Sequence, residues 1–416
     1  MYIYKQVVSV ATENMFKVPQ NINNRHYYLD KVKPFIGQNI LKVFTGQRRV
    51  GKSYFLFQLI HFLQNDNTVK ILYINKEDLA FSFIKNAEDL HQYVIENKSA
   101  MQKTYVFIDE IQDIQNFEAA LRSLLLYEDL DLYITGSNAN LLSGDIAGHL
   151  SGRYIEIVIY SLSYIEFLDF HSLTTSAESV EKYMKYGGLP YLKHLPLEDT
   201  VVFEYLKNIY NTIVYRDIIN RYTVRNIPFL EQLVLFLAGN IGSIFSAKKI
   251  SDFLKSQRTN MPANQVQIYS HYLISAFLVH KVPRYDMVGK RIFEIGEKYY
   301  FENIGIRNGI WGYRLEDQGK IIENVVYNHL LFKGYSVVVG VLNTNEIDFI
   351  AQKNGEKQYF QVALTINDIK TIEREFGNLK SIHDNYQKTV ITLDAFSGHT
   401  YEGIKNISLE EFLLTS

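Results

Sequence analysis

From residue 41 to 159, short and nearly uninterrupted apolar runs alternate with stretches of helical period. The runs at 41–45, 71–75, 104–109, 131–136 and 154–159 predict five strands, and the patterns at 53–65, 87–97 and 116–127 predict helices between the first four. Strands without polar alternation are buried on both faces, which points to a parallel sheet covered by helices. Ligands of such a sheet gather at the carboxyl ends of its strands. Residues 1–40 read as a helical lead-in. From about 161 to 235 the period is helical, broken by the turn chemistry of Gly187-Gly188-Leu189-Pro190. Two short helices and a hairpin follow. Ser246 is placed to cap the first helix, and the second, 264–276, is expected to turn Ile268, Tyr272 and Leu273 inward. The hairpin is expected from 279–284 and 291–295, and 308–317 reads as a linker. Beyond it a second α/β pattern begins. It has a helix at 319–333, strands at 335–340, 346–352 and 357–363, a helix at 367–383 and a strand at 388–393.

The first apolar run is followed by Gly46-Gln47-Arg48-Arg49-Val50-Gly51-Lys52-Ser53 and then by the helical Tyr54-Phe55-Leu56 stretch. Two glycines, a lysine and a hydroxyl at this spacing, between a strand and a helix, form a phosphate loop. The glycines let consecutive N–H groups point inward at phosphate oxygens, and the helix adds its positive dipole end. Lys52 is expected to reach the β- and γ-phosphates of ATP, and Ser53 to bind Mg²⁺. The third run ends in Asp109-Glu110, where Asp109 would hold Mg²⁺ and Glu110 would act as general base toward water. Thr135-Gly136-Ser137-Asn138 ends the next strand. Ser137 or, preferably, Asn138 is the candidate sensor of the γ-phosphate, against a plain capped turn. Arg153, just before the fifth strand, could complete a neighbouring subunit's site in a homo-oligomer, an effect worth about 10³–10⁵ in rate.

These motifs resemble the prokaryotic AAA-like ATPases of the archaeal-ATPase and STAND-related type, many of which carry a C-terminal domain of unknown function. The resemblance extends through Tyr186–Pro190, Tyr215-Arg216-Asp217-Ile218 and Lys298-Tyr299-Tyr300 to nearly the whole chain. It implies ATP binding and hydrolysis, a winged-helix segment and a C-terminal nuclease-like fold. The expected architecture is an α/β multidomain protein: a P-loop parallel-sheet ATPase core at 1–160, a helical lid at 161–235, a winged helix at 236–307 and a restriction-endonuclease-like α/β domain at 318–416. Within the lid, Arg216 could face nucleotide as a second sensor, and Asp217 lies four residues from Arg221.

Lys248, Lys249, Lys255, Arg258, Lys281, Arg284, Lys290 and Arg291 make residues 246–300 locally basic, which suits DNA contact. The helix at 264–276 carries no Lys or Arg to read bases. In the last unit, Glu323, Asp348 and Gln361 reproduce the layout of a PD-(D/E)xK nuclease. An amide stands at the second acidic position, however, and Ala363 stands where lysine is needed. A nuclease-like fold with lost cutting activity is expected. Composition sharpens this picture at few points. The 416 residues suggest two to four domains, and a net charge of −2 gives no global affinity for nucleic acid. There is no cysteine, which excludes thiolate chemistry and Cys-based zinc. No apolar run approaches the ~20 residues of a membrane helix, and the chain is expected to be cytoplasmic. The leading expectation is an Mg²⁺-dependent ATPase coupled to DNA or partner binding. The alternatives are a Mg²⁺-dependent nuclease with a regulatory ATPase, or a nucleotide-gated switch that does not hydrolyse.

Overall fold

The computed structural model describes residues 18–19, 21–64, 69–142, 150, 152–258, 261–292, 296–366, 369–393 and 400–415. The chain forms two compact units, one of Met1–Gly46 with Gly51–Ile159 and one of Gln47–Val50 with Tyr160–Ser416.

In the first unit, helix α1 (His26–Val32) precedes a five-stranded sheet. Its strands are β1 (Leu41–Thr45), β2 (Lys70–Asn75), β3 (Thr104–Asp109), β4 (Leu130–Gly136) and β5 (Tyr154–Val158), in the order β2-β3-β4-β1-β5. Every pairing is parallel, as the unalternated apolar runs require. Helices α2 (Lys52–Leu63), α3 (Ala87–Asn97) and α4 (Phe117–Leu124) complete the crossovers. Asn86 caps α3 in a capping box with Asp89, so two otherwise orphaned N–H groups are satisfied reciprocally. Val43, Ile74, Val106, Ile108, Leu132 and Ile134 from the sheet meet Leu90, Val94, Leu121 and Leu124 of the helices in one apolar core.

Lys42 in β1 pairs with Asp131 in β4, and both side chains are fully buried. Burial pushes the Lys42 pKa down and the Asp131 pKa up, and each partner opposes the other's shift. Further bonds fill the remaining valences. Lys42 Nζ donates to the Gln38 carbonyl at 2.7 Å, and Tyr133 Oη and the Gly37 N–H donate to Asp131 Oδ2 at 2.8 and 2.7 Å. The pair ties the turn before β1 to β4.

The second unit begins with helices α5 (Tyr164–His171), α6 (Ala177–Tyr186) and α7 (Asp199–Thr212), and α7 continues as the π-helical segment Ile213–Asn220. The turn after α6 is glycine for a steric reason. A Cβ on Gly188 would lie 2.4 Å from the Leu162 carbonyl oxygen, and Gly187 has φ +70°. Helices α8 (Ile227–Gly239), α9 (Ala247–Ser256) and α10 (Ala263–Ser275) follow. Ser246 caps α9 by accepting the Lys249 N–H, as expected. On α10 the inner face is Val266, Tyr269 and Leu273, while Ile268 is exposed and Tyr272 is half-buried. Leu273 faces inward as expected, but Val266 and Tyr269 accompany it in place of Ile268 and Tyr272, because packing against α9 and the strand that follows α10 chose the face.

The hairpin also differs. Strand β6 (Val279–Val282) pairs antiparallel with β9 (Lys298–Phe301), not with the segment at 291–295. Pro283, which has no N–H to give a ladder, ends β6. Strand β7 (Arg284–Asp286) then pairs with β8 (Arg291–Ile292) and, in parallel, with β10 (Ser336–Leu342). Residues 293–295 of the expected second strand lie outside the described residues. Strands β7 and β8 thus extend an eight-stranded sheet in the order β14-β15-β13-β12-β11-β10-β7-β8. Its other strands are β11 (Asn345–Lys353), β12 (Glu356–Ala363), β13 (Gln387–Thr392), β14 (Thr400–Tyr401) and β15 (Ile404–Ser408). This sheet crosses the boundary expected between 236–307 and 318–416. The expected linker at 308–317 holds the end of helix α11 (Ile304–Trp311) instead. Arg307 is fully buried there, donating to Asp317 at 2.6 Å and to the Ala238 carbonyl at 2.7 Å. Helices α12 (Gln318–Phe332), α13 (Ile369–Lys380) and α14 (Leu409–Leu413) complete the unit. Among the described residues no helix is long and apolar enough to cross a membrane.

Lys42→Ala leaves Asp131 buried without its cation and is expected to lower unfolding stability by about 3–5 kcal/mol in denaturant titration, with Lys42→Met/Asp131→Leu costing much less. A second expectation concerns pH. Burial pushes His280 down to about 4 and His329 down to about 3. Below the ordinary value of about 6.5 the unfolded chain takes up protons that these two rings refuse. Their contribution to stability is thus full above pH ~6.5 and falls progressively toward the folded-state values near pH 4 and 3. Denaturation midpoints measured from pH 7 to 4 should fall, and the fall should be shallower in His329→Leu.

Candidate functional site

The loop between β1 and α2 has the backbone that its glycines permit. Gly46 has φ +145° and Gly51 φ +98°, both in the region that favours glycine, and Arg49 between them has φ +71°. Gly51 is the N-cap of α2, so the free N–H groups of the first turn and the helix dipole face the loop. Lys52 is buried, and its Nζ donates to the Gly46 carbonyl at 2.9 Å. That bond closes the loop on itself. Val50 is fully buried, and Tyr54 is half exposed against Phe57.

Asp109 ends β3 close to this loop. Its carboxylate accepts hydrogen bonds from Ser53 and, at Oδ1, from Thr135, and Tyr73 Oη donates to Oδ2 at 3.2 Å. Burial pushes the Asp109 pKa up, with Glu110 acting in the same direction, and the Ser53 and Thr135 hydroxyls and Lys52 oppose it. A bound cation would favour the ionised form. Ser53 and Asp109 thus bring a hydroxyl and a carboxylate oxygen together, a hard-oxygen donor set that fits Mg²⁺. Glu110 is buried and adopts φ +58°, ψ +53°, a left-handed conformation that a non-glycine residue takes at a cost and that recurs at active sites. Its N–H donates to Thr135 Oγ1 at 2.9 Å, and Gln112 Nε2 donates to its carboxylate. Thr135 therefore holds both acidic residues, which works because β4 lies beside β3 and both end at the same edge. Gln112 and Thr135 received no role in the sequence reading. Their signal is their place within three residues of a strand end beside the acids.

Asn138 is buried, and its Oδ1 accepts the Asn140 N–H at 2.6 Å, the geometry of a capped turn. Ser137 is fully buried beside it. Arg153 is half-buried, and its carbonyl accepts the Leu41 N–H at the start of β1. In the second unit Arg48 and Asp217 form a buried pair with two parallel bonds, Nε and Nη2 each 2.9 Å from a carboxylate oxygen. Asp217 thus bonds to Arg48 rather than standing only within reach of Arg221. Gln47 is also buried and donates to the Phe277 carbonyl at 2.8 Å, and Arg216 beside Asp217 is exposed. The planar guanidinium fork suits this bidentate contact in a way that lysine does not.

A second polar cluster lies among α12, β9 and β11. Lys298, the first residue of β9, is 3% exposed at its side chain. Its Nζ stands 2.7 Å from Glu323 Oε1, 2.8 Å from Glu346 Oε1 and 4.0 Å from Asp348 Oδ1. Burial opposes the ammonium charge, but Glu323, Asp348 and Glu346 together hold its pKa above the ordinary lysine value. Burial and the Glu323 charge push Asp348 well above the carboxylate range, against Lys298 and the Val362 N–H, which donates to Oδ2 at 2.8 Å. Tyr300 Oη donates to Glu323 at 2.5 Å. Gln361 accepts the Asp348 N–H at 3.4 Å, and Ala363 ends β12 nearby in sequence. The structure thus brings Glu323, Asp348 and Gln361 together, and adds Lys298 and Glu346, which the sequence reading had not given a role.

The sheet order, the phosphate loop and the paired acids define an AAA-type P-loop ATPase domain. A family profile described as an AAA domain matches residues 38–168, and one described as a domain of unknown function matches residues 177–317. An uncharacterized protein of Haemophilus influenzae is 37% identical over 400 residues, covering 94% of this chain and 98% of its own. The chain belongs to the family of that protein. An uncharacterized protein of Methanocaldococcus jannaschii is 28% identical over 402 residues, 90% of this chain and 85% of its own. Among solved structures, a Walker-type ATPase of Pyrococcus abyssi has 14% identity and a TM-score of 0.49, covering 72% of this chain and 99% of its own. Cdc6p from Pyrobaculum aerophilum has 12% identity and a TM-score of 0.32, covering 73% and 97%.

Asp217→Ala strips a buried guanidinium of its partner and is expected to destabilise folding by about 3–5 kcal/mol in denaturant titration. Replacing Arg48 as well, in Arg48→Met/Asp217→Ala, should recover part of that loss.

Proposed function

We propose that this chain binds ATP with Mg²⁺ and hydrolyses it. The observation that carries the reading is the meeting of the phosphate loop with the acidic strand end, in which the Ser53 hydroxyl bonds the Asp109 carboxylate and Glu110 is held beside them. Lys52 and the loop N–H groups from Gly46, Gln47, Arg48, Arg49, Val50, Gly51 and Ser53 would hold the phosphates, and Tyr54 opens the helix behind them. Ser53 and Asp109 would hold the metal ion, which when bound neutralises phosphate charge as it develops. Glu110 would orient water and take its proton, and Gln112 would fix its carboxylate. Asn138 would sense the γ-phosphate by exchanging its turn-capping bond for one to nucleotide. Arg153 would complete the site of a neighbouring copy.

What the nucleotide state controls is, in our reading, contact with DNA or a protein partner. Lys248, Lys249 and Lys255 on α9 and Arg258 just after it are all exposed, and these charges favour a polyanion. Cutting of DNA finds no support in Gln361, Ala363 or the ammonium of Lys298 at the acids.

Purified wild-type chain is expected to release phosphate from Mg·ATP. Glu110→Gln should lower kcat by about 10²–10⁴-fold, and Lys52→Ala by about 10²–10³-fold. Absence of turnover in the wild type across protein concentrations, with and without double-stranded DNA, would remove this reading. A rate per chain that rises with concentration and is lost in Arg153→Ala would support a shared site. Binding titrations with duplex DNA at two salt concentrations separate a DNA partner, whose affinity falls with salt, from a protein partner.

A further inference from the structure

We propose that the Lys298 ammonium is the resident cation of the Glu323–Glu346–Asp348 cluster and stands where a divalent metal ion would otherwise have to bind. This centre is therefore a metal-free cross-link.

Glu346 and Asp348 are two residues apart on β11 and so share a face, and Glu323 on α12 meets them from the helix. Carboxylates brought this close repel one another and need a cation. Lys298 Nζ supplies it, hydrogen-bonded at 2.7 and 2.8 Å to two of them and 4.0 Å from the third. A Mg²⁺ ion bonds carboxylate oxygens at about 2.0–2.1 Å. Bound to these same oxygens, it would lie against a like charge whose side chain is only 3% exposed. The remaining ligand positions do not help it, because Gln361 is a neutral amide and Ala363 carries no donor. Glu375 on α13 adds a further buried carboxylate near Asp348; its Oε1 accepts from Arg374 Nε at 2.8 Å and Nη2 at 2.5 Å, while its Oε2 is buried without a hydrogen-bond partner. Among the described residues, no group of three or more His, Asp or Glu is arranged to hold a metal ion. Lys298 also begins the strand that pairs with β6, so one ammonium fixes β9, α12 and β11 together. The Lys298-Tyr299-Tyr300 run thereby acquires a role: its lysine is the cation, and its second tyrosine donates to Glu323.

The test is Mn²⁺ binding to the full-length chain without nucleotide, followed by the electron paramagnetic resonance of free Mn²⁺. The wild type and Asp348→Asn should bind the same number of ions, so that any uptake elsewhere cancels. Lys298→Met, which keeps the length and removes the charge, should gain one Mn²⁺ equivalent, and Lys298→Met/Asp348→Asn should lose it again. An ion bound by the wild type and lost in Asp348→Asn overturns the proposal, as does a folded Lys298→Met that binds no more than the wild type. Should Lys298→Met fail to fold, the wild-type and Asp348→Asn comparison still decides. Equal uptake then upholds the ammonium as the cation on which folding depends, and unequal uptake refutes it.

Discussion

A buried charge must find its opposite, and much of this chain is arranged to meet that demand. Withdrawing an ammonium or guanidinium from water costs several kcal/mol unless a carboxylate and further hydrogen bonds replace the lost solvation. That is comparable with the whole stability of a domain, about 5–15 kcal/mol. Lys42 is satisfied in this way by Asp131, Arg48 by Asp217, Lys298 by Glu323 and Glu346, and Arg307 by Asp317. Each joins elements distant in sequence or fixes a turn whose backbone would otherwise be free. Apolar contacts could supply comparable stability, but they would not dictate so narrowly which side chain faces which.

The same constraint shapes the phosphate loop. Its N–H groups and lysine create a positive concavity, and in this structure Lys52 satisfies itself on the Gly46 carbonyl. The acids opposite are likewise satisfied by neighbours, Asp109 by Ser53, Thr135 and Tyr73, and Glu110 by Gln112. Nucleotide and metal ion would therefore enter by exchanging hydrogen bonds, not by filling an uncompensated hole. Preorganisation of this kind leaves little reorganisation for the moment of reaction.

The parts legible in advance were those whose pattern is local. The five strands of the first unit were readable because each is apolar without alternation, and Gly46–Ser53 because its spacing performs its chemistry within eight residues. Of the C-terminal strands, β10 to β13 were readable, but β14 and β15 were not expected. The hairpin was not readable. Pro283 marks a break, but the choice of β9 as partner for β6, and of β10 for β7, depends on pairings 16 to 55 residues apart. The inner face of α10 was misplaced because Val266, Ile268 and Tyr272 all satisfy an apolar helical period, and only packing separates them. Lys298, Thr135, Gln112 and Glu346 are ordinary polar residues until the fold sets them beside carboxylates.

By itself the sequence determined the class of chemistry of the first unit: a phosphate loop and two acids at a strand end. Only the tertiary structure decided which charges are spent within the protein. Asp217 stands four residues from Arg221, yet it bonds Arg48, 169 positions away. Lys298 lies in a tyrosine-rich strand, yet it serves the acids of α12 and β11. Spacing along a chain shows what a residue can reach locally. It cannot show which partner replaces water when the residue is buried, because that partner is chosen by long-range strand pairing and helix packing.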